Sequence, residues 1–180
     1  MRQWRDANKE DIEALVALVE SAYRGDASRA GWTSEADLLG GQRIDAGMVA
    51  DTLADPNQHM IVCEEADAGL IGCVTMERRT GEHGSGYGYI GTVSVHPPLQ
   101  GSGLGREILA RAERWLATHW GLDQARMTVI AQRPELIAWY ERRGYRTTGE
   151  TAPFPYGNPR FGAPKRDDLY FVLLEKKLAA

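Results

Sequence analysis

The chain of 180 residues has few cysteines, no excess of basic side chains and no long apolar run. Its two cysteines, Cys63 and Cys73, are not grouped with histidines at the spacing of zinc ligands. A disulfide framework and a structural metal site are therefore not expected, and no metal cofactor is predicted. We interpret both cysteines as small apolar core residues of a reduced, cytoplasmic protein.

Charge and hydropathy argue against two further classes of protein. Lys and Arg total 21 against 25 Asp and Glu, a formal net charge of −4, so no basic surplus is present to neutralise a nucleic-acid backbone. No stretch approaches the roughly 18 consecutive apolar residues that cross a bilayer, and residues 1–6 lack the apolar segment of a secretion signal. The sequence thus predicts a cytoplasmic protein with no nucleic-acid and no membrane partner.

Length and pattern together predict one α/β domain over residues 1–180. Apolar residues recur at helical spacing over 12–23, 45–54, 104–120 and 134–143, and a further short helix is predicted over 33–39. Short apolar runs predict strands at 2–5, 60–63, 70–76, 89–95, 127–130, 145–148 and 169–174. This order predicts a mixed, mostly antiparallel central sheet of six to seven strands flanked by helices.

A glycine-rich loop lies between one predicted strand and the longest predicted helix. Gly101, Gly103 and Gly105 leave backbone N–H groups unobstructed, and the helix N-terminus adds partial positive charge, so the loop is suited to a pyrophosphate. It is not a dinucleotide fingerprint, because the third glycine would fall at Arg106, and it is not a P-loop, because Arg106 and Glu107 replace its Lys and Ser/Thr. A sharp strand-to-helix turn without a ligand could use the same glycines.

Two motifs together carry a resemblance to a known family. Gln100 to Gly105 reads Q-x-x-G-x-G, and a helix ending W-Y-E-R-R-G-Y covers 139–145. With these motifs the chain resembles, over essentially its whole length, the GNAT superfamily of acyl-CoA-dependent N-acetyltransferases. The resemblance implies the GNAT-like fold, a transferase with acetyl-CoA as co-substrate, and no metal. Family members are often dimers, so it also allows a homodimer.

The resemblance assigns roles to individual residues. Val93 and Val95 match the strand positions whose main chain pairs with the pantetheine arm. The positions that match the pyrophosphate loop are Gln100, Gly101, Ser102, Gly103, Leu104 and Gly105, followed by Arg106 as a nearby cation. Tyr140 matches the helix tyrosine that protonates the departing thiolate. A packed aromatic at the helix–sheet interface is the alternative for Tyr140, because Leu136 lies four residues earlier on the same face.

Two positions depart from the family pattern. Many members carry Asn seven residues before the tyrosine, where this chain has Arg133. The carboxylate that often stands on the fourth strand as general base is replaced by Tyr89. Glu77, near the end of the preceding strand, is our candidate for the proton acceptor, with His83 and His96 as alternatives. A surface charge on a strand is the competing interpretation of Glu77.

Two long irregular segments are expected to bind the acceptor, as they do in the family. The first supplies Tyr23, Arg24, Arg29, Trp32, Thr33, Glu35 and Arg43, and the second supplies residues 154–161 followed by Lys165 and Arg166. Of these we single out Tyr23, Trp32, Arg43 and Arg160. Because arginine binds a carboxylate in bidentate fashion, we hypothesise that the acceptor is a small-molecule amine such as an amino acid or a related carboxylated amine. Two alternatives stay open: an N-acetyltransferase of proteins or peptides, and a non-catalytic acyl-CoA-binding module.

Overall fold

The computed structural model describes residues 1–179. The helices are α1 Ile12–Tyr23, α2 Gly25–Ser28, α3 Ala46–Ala54, α4 Leu104–His119 and α5 Pro134–Glu141. The strands are β1 Gln3–Asp6, β2 Leu39–Gly40, β3 Gln58–Glu65, β4 Gly69–Thr80, β5 Gly86–Val95, β6 Gln124–Ile130, β7 Arg146–Pro153, β8 Ala163–Pro164 and β9 Tyr170–Lys177. Short 3-10 turns cover Lys9–Asp11, Pro97–Leu99 and Pro159–Phe161.

Seven of the strands form the central sheet, in the order β1-β3-β4-β5-β6-β9-β7. Neighbouring strands are antiparallel except β5 and β6, which are parallel because α4 connects them as a crossover. β2 and β8 pair separately as a two-stranded ribbon. The predicted mixed, mostly antiparallel sheet of six to seven strands with flanking helices is confirmed.

Helices cover both faces of this sheet. On one face, α1 and α3 bury Leu15 and Val49 against Val62 of β3. On the other face, α4 buries Ile108 and Leu116. Alternate side chains of β3 point to the two clusters, as the two-residue period of a strand requires.

Two strand glycines allow α4 to lie directly on the sheet. A Cβ atom at Gly88 would lie 2.4 Å from Leu116 Cδ1, and one at Gly72 would lie 2.6 Å from Ile108 Cδ1. Any larger residue at these positions would lift the helix. The close contact therefore fixes the N-terminus of α4 at the end of β5.

β5 and β6 leave a wedge-shaped opening in the middle of the sheet. They pair at only two positions, Gly88 with Ala125 and Tyr89 with Arg126. On its other side β5 contains a bulge, where the register with β4 shifts and Thr92 takes a φ of 52°. The edge of β5 that faces β6 is consequently unpaired from residue 90 onwards.

The short helix predicted over 33–39 is wrong. Ser34 Oγ accepts a hydrogen bond from Ala36 N, and the Leu38 and Leu39 amides donate to Glu35 O, which makes a single turn. The turn does not continue because Leu39 pairs with Pro164 in the β2–β8 ribbon and the Glu35 side chain is held by two arginines. Helical structure occurs earlier in this segment, as the one-turn helix α2.

None of the helices within residues 1–179 is at once long enough and apolar enough to cross a bilayer.

Candidate active site

A first cavity of about 450 Å³ lies where β5 ends and α4 begins. Most residues predicted to bind the co-substrate line it: Val93, Val95, Gln100, Gly101, Ser102, Gly103, Gly105 and Arg106. Leu104 is the exception, because its side chain is fully buried in the core beneath α4. The structure thus gathers eight of these nine predicted residues around one opening.

The glycine loop presents the N-terminus of α4 to this cavity. Gly101 and Gly103 have φ angles of +82° and +89°, which side-chain-bearing residues rarely adopt. Gly103 precedes the helix, and among residues 1–179 no side chain caps it, so the first amides of α4 are available to an anion. Burial and the neighbouring cations Arg142 and Arg106 hold the pKa of Arg143 below its usual value. Arg106 and Arg143 both line the cavity, and none of its lining residues is acidic.

Residues between α1 and β2 cover the first cavity. Gly31 lies against the Gln100 side chain so closely that a Cβ atom would clash with the amide oxygen. Trp32 lines the cavity and is 45% exposed. Thr33 Oγ1 donates to Glu135 Oε1 over 3.0 Å, which ties this cover to α5.

A second cavity of about 310 Å³ occupies the wedge between β5 and β6. Its walls are the diverging strands, the end of α1 and residues 154–161. Five residues line both cavities: Tyr23, Val93, Arg133, Leu136 and Tyr140. Tyr140 therefore lies at the junction of the two openings.

Of the two tyrosines at this junction, Tyr140 is almost completely enclosed and Tyr23 is partly buried. Tyr140 is 6% exposed and packs edge to face against Trp139 and Tyr145, with ring centroids 5.0 and 5.8 Å away. Burial raises the pKa of Tyr140 well above its usual range, so its phenol stays protonated. Burial also raises the pKa of Tyr23, whose hydroxyl donates to Val93 O over 2.5 Å.

The four residues predicted to bind the acceptor lie in three places, and Trp32 lines the first cavity but not the second. Tyr23 and Arg43 line the second cavity, where the Arg43 guanidinium lies 5.0 Å from the centre of the Tyr23 ring. Arg160 lines neither cavity and lies 3.8 Å from Asp45 and 3.7 Å from Asp51.

Glu77 lies on β4, outside both cavities. It stands opposite Tyr89, which does line the second cavity, and Arg79 Nη2 donates to Glu77 Oε2 over 2.6 Å. His83 and His96, the alternatives for the proton acceptor, are exposed and line neither cavity. The structure therefore does not bring a free carboxylate to the junction at Tyr140.

Three buried charged residues of the second cavity were not singled out as site residues, although two of them, Arg24 and Glu35, lie in the first predicted acceptor-binding segment. Arg24 and Arg133 both donate to the carboxylate of Glu35. The only sequence signal was that Arg133 stands where many family members have Asn. Arg24 and Glu35 are charged residues in an irregular segment, and nothing in the sequence distinguishes them from solvated surface groups.

The fold and the junction define a class of protein. A glycine loop at a helix N-terminus and a wedge beside an unpaired strand edge suit a transferase that binds a phosphate-bearing co-substrate. The model of the acetyltransferase (GNAT) family matches residues 14–145, and the chain belongs to that family. The family identification from the two motifs is confirmed, and with it the enzyme class, an N-acetyltransferase with acetyl-CoA as acyl donor.

Solved structures of acetyltransferases share the fold. A protein provisionally assigned as a phosphinothricin N-acetyltransferase is 17% identical, with full coverage of both chains and a TM-score of 0.71. A chimera of the Vibrio cholerae spermidine N-acetyltransferase SpeG with hSSAT is 16% identical over 98% of this chain and 95% of that one, with a TM-score of 0.66. A GNAT-family acetyltransferase from Streptococcus pneumoniae is 14% identical over 99% and 100%, with a TM-score of 0.67. No curated protein matches the chain in a sequence search.

Proposed function

We propose that the protein transfers the acetyl group of acetyl-CoA to the primary amine of a small molecule. One observation carries the proposal: Tyr140 lies where a cavity with a glycine loop and arginines meets a second, separate cavity. A transfer between two substrates needs both reacting groups at one place, and the junction provides it.

The first cavity would hold acetyl-CoA. The backbone of residues 101–105 and the side chains of Arg106 and Arg143 would bind its phosphates. The pantetheine arm would extend along β5 at Val93 and Val95, on the edge that has no partner strand, as a peptide adds to a sheet edge. There it would take the place of the Tyr23 hydroxyl on Val93 O and of the Gln100 amide on Val95 O. This route leads from the loop to the junction at Tyr140.

The reaction would be a direct transfer. The neutral amine attacks the thioester carbonyl carbon, a C–N bond forms, and the C–S bond breaks as the tetrahedral intermediate collapses. Tyr140 donates its phenolic proton to the departing sulfur, and the amine loses one proton, which restores the phenol through solvent. Because burial keeps Tyr140 protonated, the acid is present in its active form across the neutral range.

A proton acceptor for the amine is the open part of this mechanism. Glu77 is our predicted acceptor, and because it lines neither cavity a water relay past Tyr89 would have to connect it to the amine. The role of Glu77 stays a prediction, which Glu77→Gln tests through the dependence of kcat/KM on pH.

The second cavity favours a small acceptor over a protein. Its volume of about 310 Å³ and its walls of α1, the strands and residues 154–161 enclose a molecule rather than a peptide chain. Tyr23 and Arg43 would contact the acceptor, Trp32 would cover the first cavity beside it, and the contact of Arg160 stays a prediction. An amino acid or related carboxylated amine suits the arginines of this wall better than a polycation such as spermidine.

Three broader predictions accompany this function. We propose that residues 1–180 form a single N-acetyltransferase domain. The cytoplasmic location and the homodimer stay predictions, which cell fractionation and sedimentation would check.

The test is free-thiol release from acetyl-CoA with a panel of amino acids, phosphinothricin, polyamines, aminoglycosides and short peptides. We expect turnover with small amines, and we expect Tyr140→Phe to lower kcat by about 100-fold or more while acetyl-CoA still raises Tm. Tyr145→Phe is the matched control, because it removes a buried phenol whose hydroxyl donates to Glu113 and which lines neither cavity.

Each other outcome has a distinct meaning. Full turnover in Tyr140→Phe would remove Tyr140 as the acid. Turnover with peptides alone would support the protein N-acetyltransferase. No turnover with any amine, together with a Tm raised by acetyl-CoA, would support a non-catalytic acyl-CoA-binding module.

A further inference from the structure

A buried cluster of Arg24, Glu35 and Arg133 lies in the wall of the second cavity. Their side chains are 5%, 9% and 4% exposed. Glu35 Oε2 accepts a hydrogen bond from Arg24 Nη1 over 2.5 Å, and Glu35 Oε1 accepts one from Arg133 Nη1 over 3.0 Å. Two guanidinium groups share one carboxylate, so the cluster carries a formal charge of +1.

The hydrogen bonds of this cluster are incomplete. Within residues 1–179, the buried Nε atoms of Arg24 and Arg133 have no acceptor. Arg133 Nη2 donates to Thr33 Oγ1 over 2.6 Å, and the carboxylate of Glu135 lies 3.8 Å from Arg133 Nε but is 44% exposed. A buried net positive charge is unfavourable, and an anion bound beside the cluster would offset that charge.

The cluster faces the second cavity together with a further cation. Arg24, Glu35, Arg43 and Arg133 all line it, and Glu35 is the only acidic residue among the lining residues. The cavity wall therefore carries three guanidinium groups and one carboxylate. A wall with this excess of positive charge selects an anionic group on the ligand.

We propose that the Arg24–Glu35–Arg133 cluster binds the carboxylate of the acceptor, which is therefore an amino acid or a close carboxylated relative. This inference rests on the proposed function, because it identifies how that acceptor is recognised. Arg133 and Tyr140 line both cavities, so a carboxylate held at Arg133 lies beside the junction. In an α-amino acid the amine and the carboxylate share one carbon, which places the amine close to the thioester.

Glu35 has a positioning role in this site. Both of its oxygens accept hydrogen bonds from arginines, so it holds the two guanidinium groups at a fixed separation. The substrate carboxylate would then bind to the guanidinium groups from the side of the cavity. Glu35 itself need not touch the acceptor.

The test compares L-amino acids with the corresponding L-amino acid amides, which keep the amine and lose the negative charge. kcat/KM is measured by thiol release, and Kd is measured by calorimetry on the protein saturated with CoA. We expect the acids to be preferred roughly 10- to 100-fold, the effect of a charged hydrogen bond. Equal kcat/KM and equal Kd for acids and amides would overturn the proposal.

Single substitutions distinguish a loss of carboxylate recognition from a loss of folding. Arg133→Gln neutralises the cluster and should lower the acid-to-amide ratio about tenfold or more, mainly through KM. Glu35→Gln keeps only one accepting oxygen, so it frees one guanidinium from its position and should also lower the ratio. Arg111→Gln is the matched control. Arg111 is on α4, its guanidinium lies over the ring of Trp4, and it lines neither cavity of the site.

The outcomes distinguish this proposal from the proposed function. An unchanged ratio in folded Arg133→Gln, or in folded Glu35→Gln, would overturn the carboxylate site and the positioning role of Glu35. If Arg133→Gln does not fold, as circular dichroism would show, the Glu35→Gln ratio decides. If no amine is acetylated, the proposed function fails, and binding of acids but not amides to the CoA-loaded protein would still support the anion site.

Discussion

Tyr140 combines a packing role with the chemical role that we propose for it. The sequence left two interpretations open, a general acid and an interfacial aromatic. Tyr140 is part of the main core cluster, with Trp139 and Tyr145 against its ring, and it also lines both cavities. The packing is what excludes water and raises its pKa, so the structural role produces the property that the chemical role requires.

The two cysteines provide a prediction at the same scale. Burial raises the pKa of Cys63 to about 11 and that of Cys73 to about 12, so neither is a thiolate at about pH 8. We expect no rapid reaction of the native protein with a chromogenic aryl disulfide, and reaction of both thiols in denaturant. Fast labelling of the native chain would contradict this, and Cys63→Ala should reduce the denatured count to one.

A covalent acetyl-cysteine intermediate is disfavoured by the same observation. A nucleophilic cysteine needs a lowered pKa, and both thiols here have raised values. Neither cysteine lines the two cavities.

At the scale of the element, the loop before α4 is the segment that we propose binds the co-substrate. Gly103 and Gly84 provide a matched pair, because both have positive φ angles, +89° and +78°, and both would have open space around an added Cβ. Ala at either position should cost about 1–2 kcal/mol of backbone strain. We expect Gly103→Ala also to raise KM for acetyl-CoA by up to about tenfold, whereas Gly84→Ala, in the β4–β5 turn, should leave KM unchanged.

Steady-state kinetics together with urea unfolding check this pair. Equal losses of stability with different KM values would show that the loop binds the co-substrate. Equal KM values for the two variants would mean that the glycines serve only the strand-to-helix turn.

Elements differ in how far their sequences determine them. α4 was predicted to within a residue because Leu104, Ile108, Ala112 and Leu116 repeat at helical spacing and all become buried. Residues 33–39 were mispredicted because local capping signals were present but contacts with the β2–β8 ribbon and two distant arginines dominated. A short segment with few apolar residues has only a weak local preference for helix, so tertiary contacts readily override it.

At the scale of the whole molecule, one ion network joins the ends of several elements. Arg5 on β1 donates to both oxygens of Asp11, over 2.7 and 2.8 Å, and also to Glu64 on β3. Asp11 also accepts a hydrogen bond from the backbone N–H of Asn8, which precedes the 3-10 turn Lys9–Asp11. The Arg5 hydrogen bonds, and then that amide, hold the pKa of Asp11 below its usual value.

This network predicts a loss of stability in acid. Because the folded state binds a proton at Asp11 less readily than the unfolded chain, stability falls as pH drops below about 4. Asp11→Asn should destabilise the protein at neutral pH, and the difference from the wild type should shrink below about pH 4. Urea unfolding of both proteins, from neutral pH to below about pH 4, measures this difference in the free energy of unfolding. Asp67→Asn in the β3–β4 turn is the control. A difference that does not change with pH would contradict the role of the Arg5 pair.

The sequence by itself determined the fold class, the glycine loop and the position of Tyr140. These follow from neighbouring residues: the periodicity of each element, and six contiguous positions that shape one loop. Only the tertiary structure decided the second cavity and its charge, because Glu35 and Arg133 are 98 residues apart in the chain and meet beside the wedge. That wedge exists because β5 and β6 pair at two positions and then diverge, and no local pattern encodes where a strand pairing stops.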